Sequence, residues 1–239
     1  TTGPWAEFER RGRRLRLTAA LGDQQSAAHG QGADEPGDGV LNYGTGAFFL
    51  LQTGTRRARV PGLLTSVAWQ KDGEQSRFFL EGTVHAAGTS LARHNSNLGV
   101  LDDPRRADAA CRRSKRRVFA LPAIGGLGAP RWDYLTPTVF WGLDANSTRD
   151  DMVRGVVEGL ALLVADGVQA ARAAGHAIKG FKAGGGLAAL DWLVAAQADI
   201  LQEKVYRLKE QEATALGAAA LAAEAAGLPW HARLRAQAV

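Results

Sequence analysis

Three glycine-rich stretches and one acidic residue are the parts of this sequence best suited to chemistry. Gly44-Thr45-Gly46, Gly125-Gly126-Leu127-Gly128 and Gly184-Gly185-Gly186 each sit where a strand-like run gives way to another element. Glycine lets a backbone approach a ligand closely, and the free N–H groups of such a turn can bind phosphate oxygens. One turn of this kind says little, because hairpins use glycine anyway. Three in one chain point towards a nucleotide. None continues into Gly-Lys-Ser/Thr, so there is no Walker loop, and none completes a dinucleotide-binding fingerprint. Asp23 follows Gly22 at a strand-to-helix junction. It reads either as a helix cap or as a general base at the mouth of a cleft. Gln24 and Gln25 add polar reach that a cap does not need.

Other reactive side chains give less. His29, His85, His94, His176 and His231 show no metal-ligand spacing and read as surface or packing residues. Ser26 lies near Asp23 but in no nucleophile-elbow pattern. Cys111 is the only cysteine, which excludes a disulfide scaffold and a cysteine-built zinc site. It also fits a reducing compartment, so a cytoplasmic location is expected. The net charge of +5 comes from two clusters, RRGRRLR at 10–16 and RRADAACRRSKRR at 105–117. Outside them the chain is net acidic. Such clusters read first as solvated loops, with attraction to phosphates or nucleic acid as the alternative. No apolar run approaches the ~20 residues of a membrane-crossing helix, and no secretory signal pattern opens the chain.

The elements that must position these residues follow from periodicity and breakers. The 239 residues, 46% hydrophobic and 22% charged, suffice for one large domain or two small ones and exclude disorder throughout. Residues 1–16 read as a basic tail or a severed connection, and Arg16–Ala20 as a short strand. A helix is expected from Leu21 to Gly30. Strands at Val40–Tyr43 and Ala47–Gln52 flank the Gly-Thr-Gly turn, and residues 65–70 and 77–81 form a second pair around Lys71-Asp72-Gly73. Helical spacing covers Gly82–Leu98, and residues 99–117 read as irregular. Val118–Pro122 and Thr138–Leu143 are strand candidates. Ser147, with Asp150 three residues later, caps a helix to about Ala173. Strand Ile178–Ala183, helix Leu187–Leu201, strand Val205–Leu208 and helix Thr214–Ala226 complete the chain, the last stopped by Gly227 and Pro229. Hairpins first, then alternating strands and helices, predict an α/β domain with a mixed sheet.

Seven blocks in order carry a resemblance. GDQQSA at 22–27, NYGTGAFFLLQTG at 42–54, GLLTSVAWQ at 62–70 and EGTVHAAGTSL at 81–91 are four of them. PAIGGLGAPRWD at 122–133, QADIL at 197–201 and TALGAAALAA at 214–223 are the rest. Over roughly residues 17–228 the chain resembles the C-terminal half of the FGGY carbohydrate kinases, specifically the glycerol-kinase branch. The resemblance implies a ribonuclease-H-like (actin-like ATPase) domain occupying residues 17–239. It further implies that ATP, with Mg2+, and a polyol or sugar bind in a cleft shared with an N-terminal kinase lobe. Asp23 then matches the family's catalytic base and would act on the metal only indirectly. Gln24 and Phe48 match polyol contacts. Gly44, Thr45, Gly88, Gly185, Gly186 and the position of Leu190 match the nucleotide side.

Departures qualify what the resemblance implies. Gly184 replaces the Asp of an Asp-Gly-Gly motif, Leu190 replaces an Asn, and Ala92 replaces a Gln. Each removes a polar side chain on the nucleotide side, so weaker ATP affinity or another base-binding geometry is expected. No Asp-x-Gly-Thr phosphate loop exists in the sequence, and half a cleft should lose most of its catalysis. The expected function is therefore the ATP-side lobe of a polyol or sugar kinase, inactive alone. The alternative is a catalytically dead nucleotide-binding or interaction module. Homo-oligomerisation is left open, and a nucleic-acid partner is not expected.

Overall fold

Burial alternates along the strands between two apolar clusters. Leu41, Tyr43, Phe49, Leu51, Leu80, Phe181 and Ala183 belong to one, and the intervening Val40, Leu50 and Phe79 to the other. Side chains two apart share a sheet face, so both faces must be covered. The computed structural model describes residues 1–99, 103–208, 212–228 and 236–238, and it has that form. His231 and part of the 99–117 stretch lie outside the described residues.

The chain opens with strands β1 (Thr2–Arg10) and β2 (Arg13–Ala19), then helix α1 (Asp23–Gly30). Strands β3 (Asp38–Tyr43), β4 (Ala47–Gly54), β5 (Leu64–Val67) and β6 (Phe78–Val84) follow. Next come α2 (Gly88–Leu98), α3 (Ala107–Arg113), β7 (Phe119–Leu121), β8 (Val139–Trp141) and α4 (Arg149–Ala173). The last elements are β9 (Gly180–Gly184), α5 (Asp191–Leu201), β10 (Val205–Leu208), α6 (Ala213–Ala225) and β11 (Ala236–Ala238). The main sheet has the order β11-β10-β9-β3-β4-β6-β5. β3, β9 and β10 are parallel, and β4, β6 and β5 continue the sheet with antiparallel pairings, β5 lying outside β6 at the edge. This is the mixed sheet of a ribonuclease-H-like domain. α4 and α5 cover one face, where Val157, Leu160, Val164 and Leu193 meet Phe49 and Leu51. α1 covers the other, with Ala28 against Val40, Leu50 and Phe79.

Several boundaries differ from the sequence reading. Residues 2–19 are a hairpin. Its register pairs Glu7 with Arg16, Glu9 with Arg14 and Phe8 with Leu15, so charge lies on one face and apolar groups on the other. Arg11 and Gly12 at the tip both have positive φ, as tight two-residue hairpins require. The helix expected from Gly82 starts at Gly88, because Gly82–Val84 complete β6. Within 99–117, Ala107, Ala110 and Cys111 form the buried stripe of α3. The basic residues there are drawn into ion pairs: Arg112 with Asp191 at 3.4 Å, Arg113 with Asp150 at 2.8 Å and Arg116 with Asp144 at 2.7 Å.

The cap of α4 is one residue later than expected. Thr148, not Ser147, is the N-cap, and Asp151 completes the capping box. Asp150 is instead the partner of Arg113. Asp151 is 1% exposed and accepts from Thr148 N–H and Oγ1, Ser114 Oγ, and the N–H groups of Lys115 and Arg116, all within 2.7–2.9 Å. Burial alone would raise its carboxyl. The hydrogen bonds from Thr148, Arg116 and Ser114 outweigh burial and hold it well below the usual carboxylate range. A depressed carboxylate contributes stability that is present above its unfolded value, near 3.9, and lost as pH falls through the folded one. Asp151→Ala is therefore expected to cost about 3 kcal/mol at pH 7, lowering the melting temperature by roughly 6–12 °C. It should also flatten the loss of stability below about pH 4. Thermal melts at pH 7 and in acid check both outcomes, and an unchanged acid limb would contradict this role.

Candidate active site

β3 and β9 are adjacent and parallel, so the turns that follow them lie side by side. A Cβ on Gly185 would sit 2.6 Å from the Tyr43 carbonyl oxygen, which admits only glycine there. The Gly44–Gly46 turn is fixed in the same way from its other side. Ala87 N–H donates to the Thr45 carbonyl at 2.8 Å and Gly88 N–H to that of Gly44 at 3.0 Å. The first turn of α2 is thereby seated on the loop. Beneath it Tyr43 is fully buried, and its hydroxyl donates to Gln197 Oε1 of α5. Burial pushes that phenol far above its ordinary value, so it stays a neutral donor.

The third glycine-rich stretch joins the row. Ala129 N–H donates to the Thr83 carbonyl at 2.9 Å, and His85 Nδ1 lies 3.1 Å from the Gly125 carbonyl. Thr83 and His85 lie at the end of β6, beside the start of β4. All three turns thus lie at the same end of the central strands, in the order Gly184–Gly186, Gly44–Gly46, Gly125–Gly128.

Asp23 stands at the first turn of α1, exposed, with Gly22 as an N-cap that lends no side chain. Its Oδ1 accepts the Gln24 N–H at 2.9 Å. Leu21 and Phe48 pack against the same apolar cluster under α1. That shared contact brings Asp23 and Gln24 to the side of the sheet on which Phe48 stands. Thr45 is exposed at its turn. A cleft of about 420 Å³ opens beside the Gly184–Gly186 turn, lined by Ala27, Gln31, Asn42, Gly185, Gly186, Arg207 and Glu212 among others. That volume suits a small-molecule site. A wider groove of about 1230 Å³ lies between the hairpin and the end of α6 and includes none of the candidate catalytic, substrate or nucleotide residues.

Leu190 requires a correction. It is 5% exposed and packs in the main core with Leu193 and Val194, so its side chain cannot be a nucleotide contact. The helix end it opens is capped from elsewhere. Asp108 of α3 accepts the N–H groups of Asp191 and Trp192, each at 2.8 Å. Sequence reasoning missed that role. No group of three or more His, Cys, Asp or Glu able to hold a metal occurs among the described residues.

Comparison with known proteins identifies the family and the fold. Residues 39–226 match the FGGY family of carbohydrate kinases, C-terminal domain. The chain belongs to that family. It is 36% identical over 220 residues to a glycerol kinase of Geobacter sp. (strain M21), covering 91% of this chain and 44% of that protein. It is 40% identical over 207 residues to a glycerol kinase of Thermus brockianus, covering 85% and 41%. Among solved structures, Plasmodium falciparum glycerol kinase with ADP superposes with a TM-score of 0.89 at 27% identity, over 97% of this chain and 47% of that one. A xylulose kinase from Rhodospirillum rubrum shares the fold, with a TM-score of 0.80 at 22% identity over 94% and 47%. The chain thus spans less than half the length of the FGGY relatives it matches. No helix among the described residues is long and apolar enough to cross a membrane.

Proposed function

We propose that this domain is the ATP-side lobe of a glycerol-kinase-like enzyme. The reaction is transfer of the γ-phosphoryl group of Mg-ATP to a hydroxyl of glycerol or a related carbohydrate, with the opposite cleft wall supplied by an N-terminal kinase lobe. The observation that supports this reading is that the Gly44–Gly46 and Gly184–Gly186 turns lie side by side at the same end of the central strands, with Phe48 and the start of α1 packed on one shared cluster.

An alcohol is a poor nucleophile near neutral pH, and Asp23 accepts its proton during transfer. Gln24 hydrogen-bonds the polyol, and Phe48 packs on its carbon face. Thr45 holds the phosphates through its backbone N–H and its hydroxyl, and Gly44 and Gly88, whose own N–H groups are bonded within the turn, let the phosphates approach closely. Gly185 and Gly186 form a wall for the nucleoside, and a backbone without side chains there suits close approach. ATP supplies the phosphoryl group, and Mg2+ rides on its phosphates.

The absence of side-chain polarity at Gly184 and Ala92 favours a second reading, a lobe that has kept the fold and lost the nucleotide. The basic cluster at 105–117 gives little support to nucleic-acid binding, since its ion pairs offset much of its charge. A thermal-shift titration separates the first two readings. Mg-ATP at a hundred times its Kd stabilises a binding lobe by about 2.7 kcal/mol, or roughly 5–10 °C for a domain this size. No shift at any attainable concentration would favour the second.

A further inference from the structure

We propose that the β1–β2 hairpin docks the domain on an anionic lipid surface. The face of Phe8, Leu15 and Leu17 lies in the headgroup layer, and the arginines at the tip meet the lipid charges. The proposal is independent of the phosphoryl-transfer reading above, because the hairpin shares no residue with the candidate site.

Every residue from Pro4 to Leu17 is exposed. A two-stranded ribbon on its own is only marginally stable in water, and a neighbour normally covers one of its faces. Here the body of the domain holds the base. Thr2 N–H donates to the Gln70 carbonyl at 3.0 Å, Asp72 N–H to Thr2 Oγ1 at 2.7 Å, and Thr18 Oγ1 to the Ala222 carbonyl at 3.1 Å. The pairing register sorts the side chains beyond that base. Ala6 opposes Leu17, Phe8 opposes Leu15 and Arg10 opposes Arg13. Positions two apart share a face, so these six side chains stand together and span about 13 Å along the ribbon. Phe8, Leu15 and Leu17 are 50%, 39% and 45% exposed. Trp5, more than half exposed, stands nearer the base.

Charge decides what covers this face. On the opposite face Arg14 and Arg16 both reach Glu7, at 3.1 and 3.4 Å, and Glu9 stands across from Arg14. The tip has no such relief. Arg10 and Arg13 are like charges directly opposed, which weakens a strand pair. Arg11 lies between them, and none of the three has an ion-pair partner among the described residues. Five arginines against two glutamates leave residues 4–17 at +3. An anionic bilayer complements both parts of the face. Its headgroup charges offset the Arg10–Arg13 repulsion, and its interfacial layer accepts the aromatic and leucine side chains. A nucleic acid would meet the same arginines and leave the leucines in water. A second copy stacked on this face would bury the leucines and bring no acidic side chain to the tip, because the face carries none.

The test is flotation of the 239-residue chain with vesicles of phosphatidylcholine alone, or of phosphatidylcholine with about one-third phosphatidylglycerol. At low salt the anionic vesicles should bind at least about tenfold tighter than the neutral ones, and high salt should shrink the preference. Arg10→Gln with Arg13→Gln removes two tip charges, each worth about fivefold, so binding should weaken about 25-fold. Phe8→Ser with Leu15→Ser keeps the charge and should weaken binding about tenfold. Arg56→Gln with Arg57→Gln, exposed positions just after β4, is the charge-matched control and should change binding by less than about twofold. The lipid comparison uses the unaltered chain, so it decides even if the serine variant fails to fold. No binding, or equal binding to both vesicles, would overturn the proposal. So would full binding by a folded serine variant, which would leave charge alone at work, as for a nucleic acid. A parent dimer in sedimentation that the serine variant abolishes would give the face to a second copy. Loss of flotation on adding an N-terminal kinase lobe would give it to that lobe. Each of those two results also overturns the proposal, and none of these outcomes depends on nucleotide binding.

Discussion

Asp23→Asn, mixed with a second kinase lobe, is expected to phosphorylate glycerol about 10²–10⁴ times more slowly than the parent chain, the usual worth of a positioned general base. Its melting temperature and its ATP affinity should not change. The structure explains why the two effects separate. Asp23 is exposed, and the one hydrogen bond it accepts comes from the next residue's N–H, at 2.9 Å. An asparagine carbonyl accepts that N–H equally well, and Asn and Asp are comparable at helix starts. Only the ability to take a proton is lost. A coupled turnover assay and a thermal melt on the same preparations check both halves. Unchanged turnover would mean that the carboxylate merely finishes the helix, and the base would have to be sought elsewhere.

Gly217→Ala should be the most damaging small substitution in the domain. Alanine favours a helix interior over glycine by about 1 kcal/mol, so propensity alone predicts a gain. Sterics decide otherwise. A Cβ at Gly217 would lie 1.7 Å from the Ser26 carbonyl oxygen and 2.9 Å from the Gly30 nitrogen. Both are backbone atoms of α1 and cannot swing aside. Relieving the overlap requires parting α1 from α6, at a cost of about 3 kcal/mol or more. The melting temperature should fall by roughly 6–12 °C. The same movement separates Ala27 and Gln31 from Ala213 and Thr214, which line the cleft together, so ADP should also bind more weakly. Gly186→Ala is the control for stability, because nothing lies within 4 Å of its added Cβ. A Gly217→Ala variant that melts with the parent would contradict the close α1–α6 contact.

Much of this architecture is legible in the residues themselves. The Gly44-Thr45-Gly46 turn, with apolar alternation on either side, places β3 and β4 without ambiguity. The apolar run ending at Ala183 and the three glycines after it place β9. Where legibility failed, local signals competed or were absent. Arg-rich runs hid regular structure twice. In the hairpin, Phe8 and Leu15 alternate with charges in a pattern that was there to be read. In α3, Ala107, Ala110 and Cys111 are too small to announce a helix beside so many arginines. Thr148 and Ser147 are equally good caps by type, and only the reach of Asp151 to Ser114 and to the N–H groups of Lys115 and Arg116 decides between them.

The site divides in the same way. The order of blocks along the chain gives Asp23, Phe48 and the glycine turns. It cannot say which way Leu190 faces, because that depends on how α5 seats in the core. Nor can it reveal that Asp108, more than eighty residues earlier in the chain, caps that helix.

The most direct measurement is glycerol-dependent ADP release by the 239-residue chain, alone and after addition of a separately produced N-terminal lobe from a glycerol kinase relative. The chain alone should give negligible turnover. The mixture should turn over measurably, and the Asp23→Asn mixture should not. An ordinary enzyme rate from the chain alone, on the order of 1–1000 per second, would contradict the account, as would a mixture that binds both lobes together and still transfers no phosphoryl group.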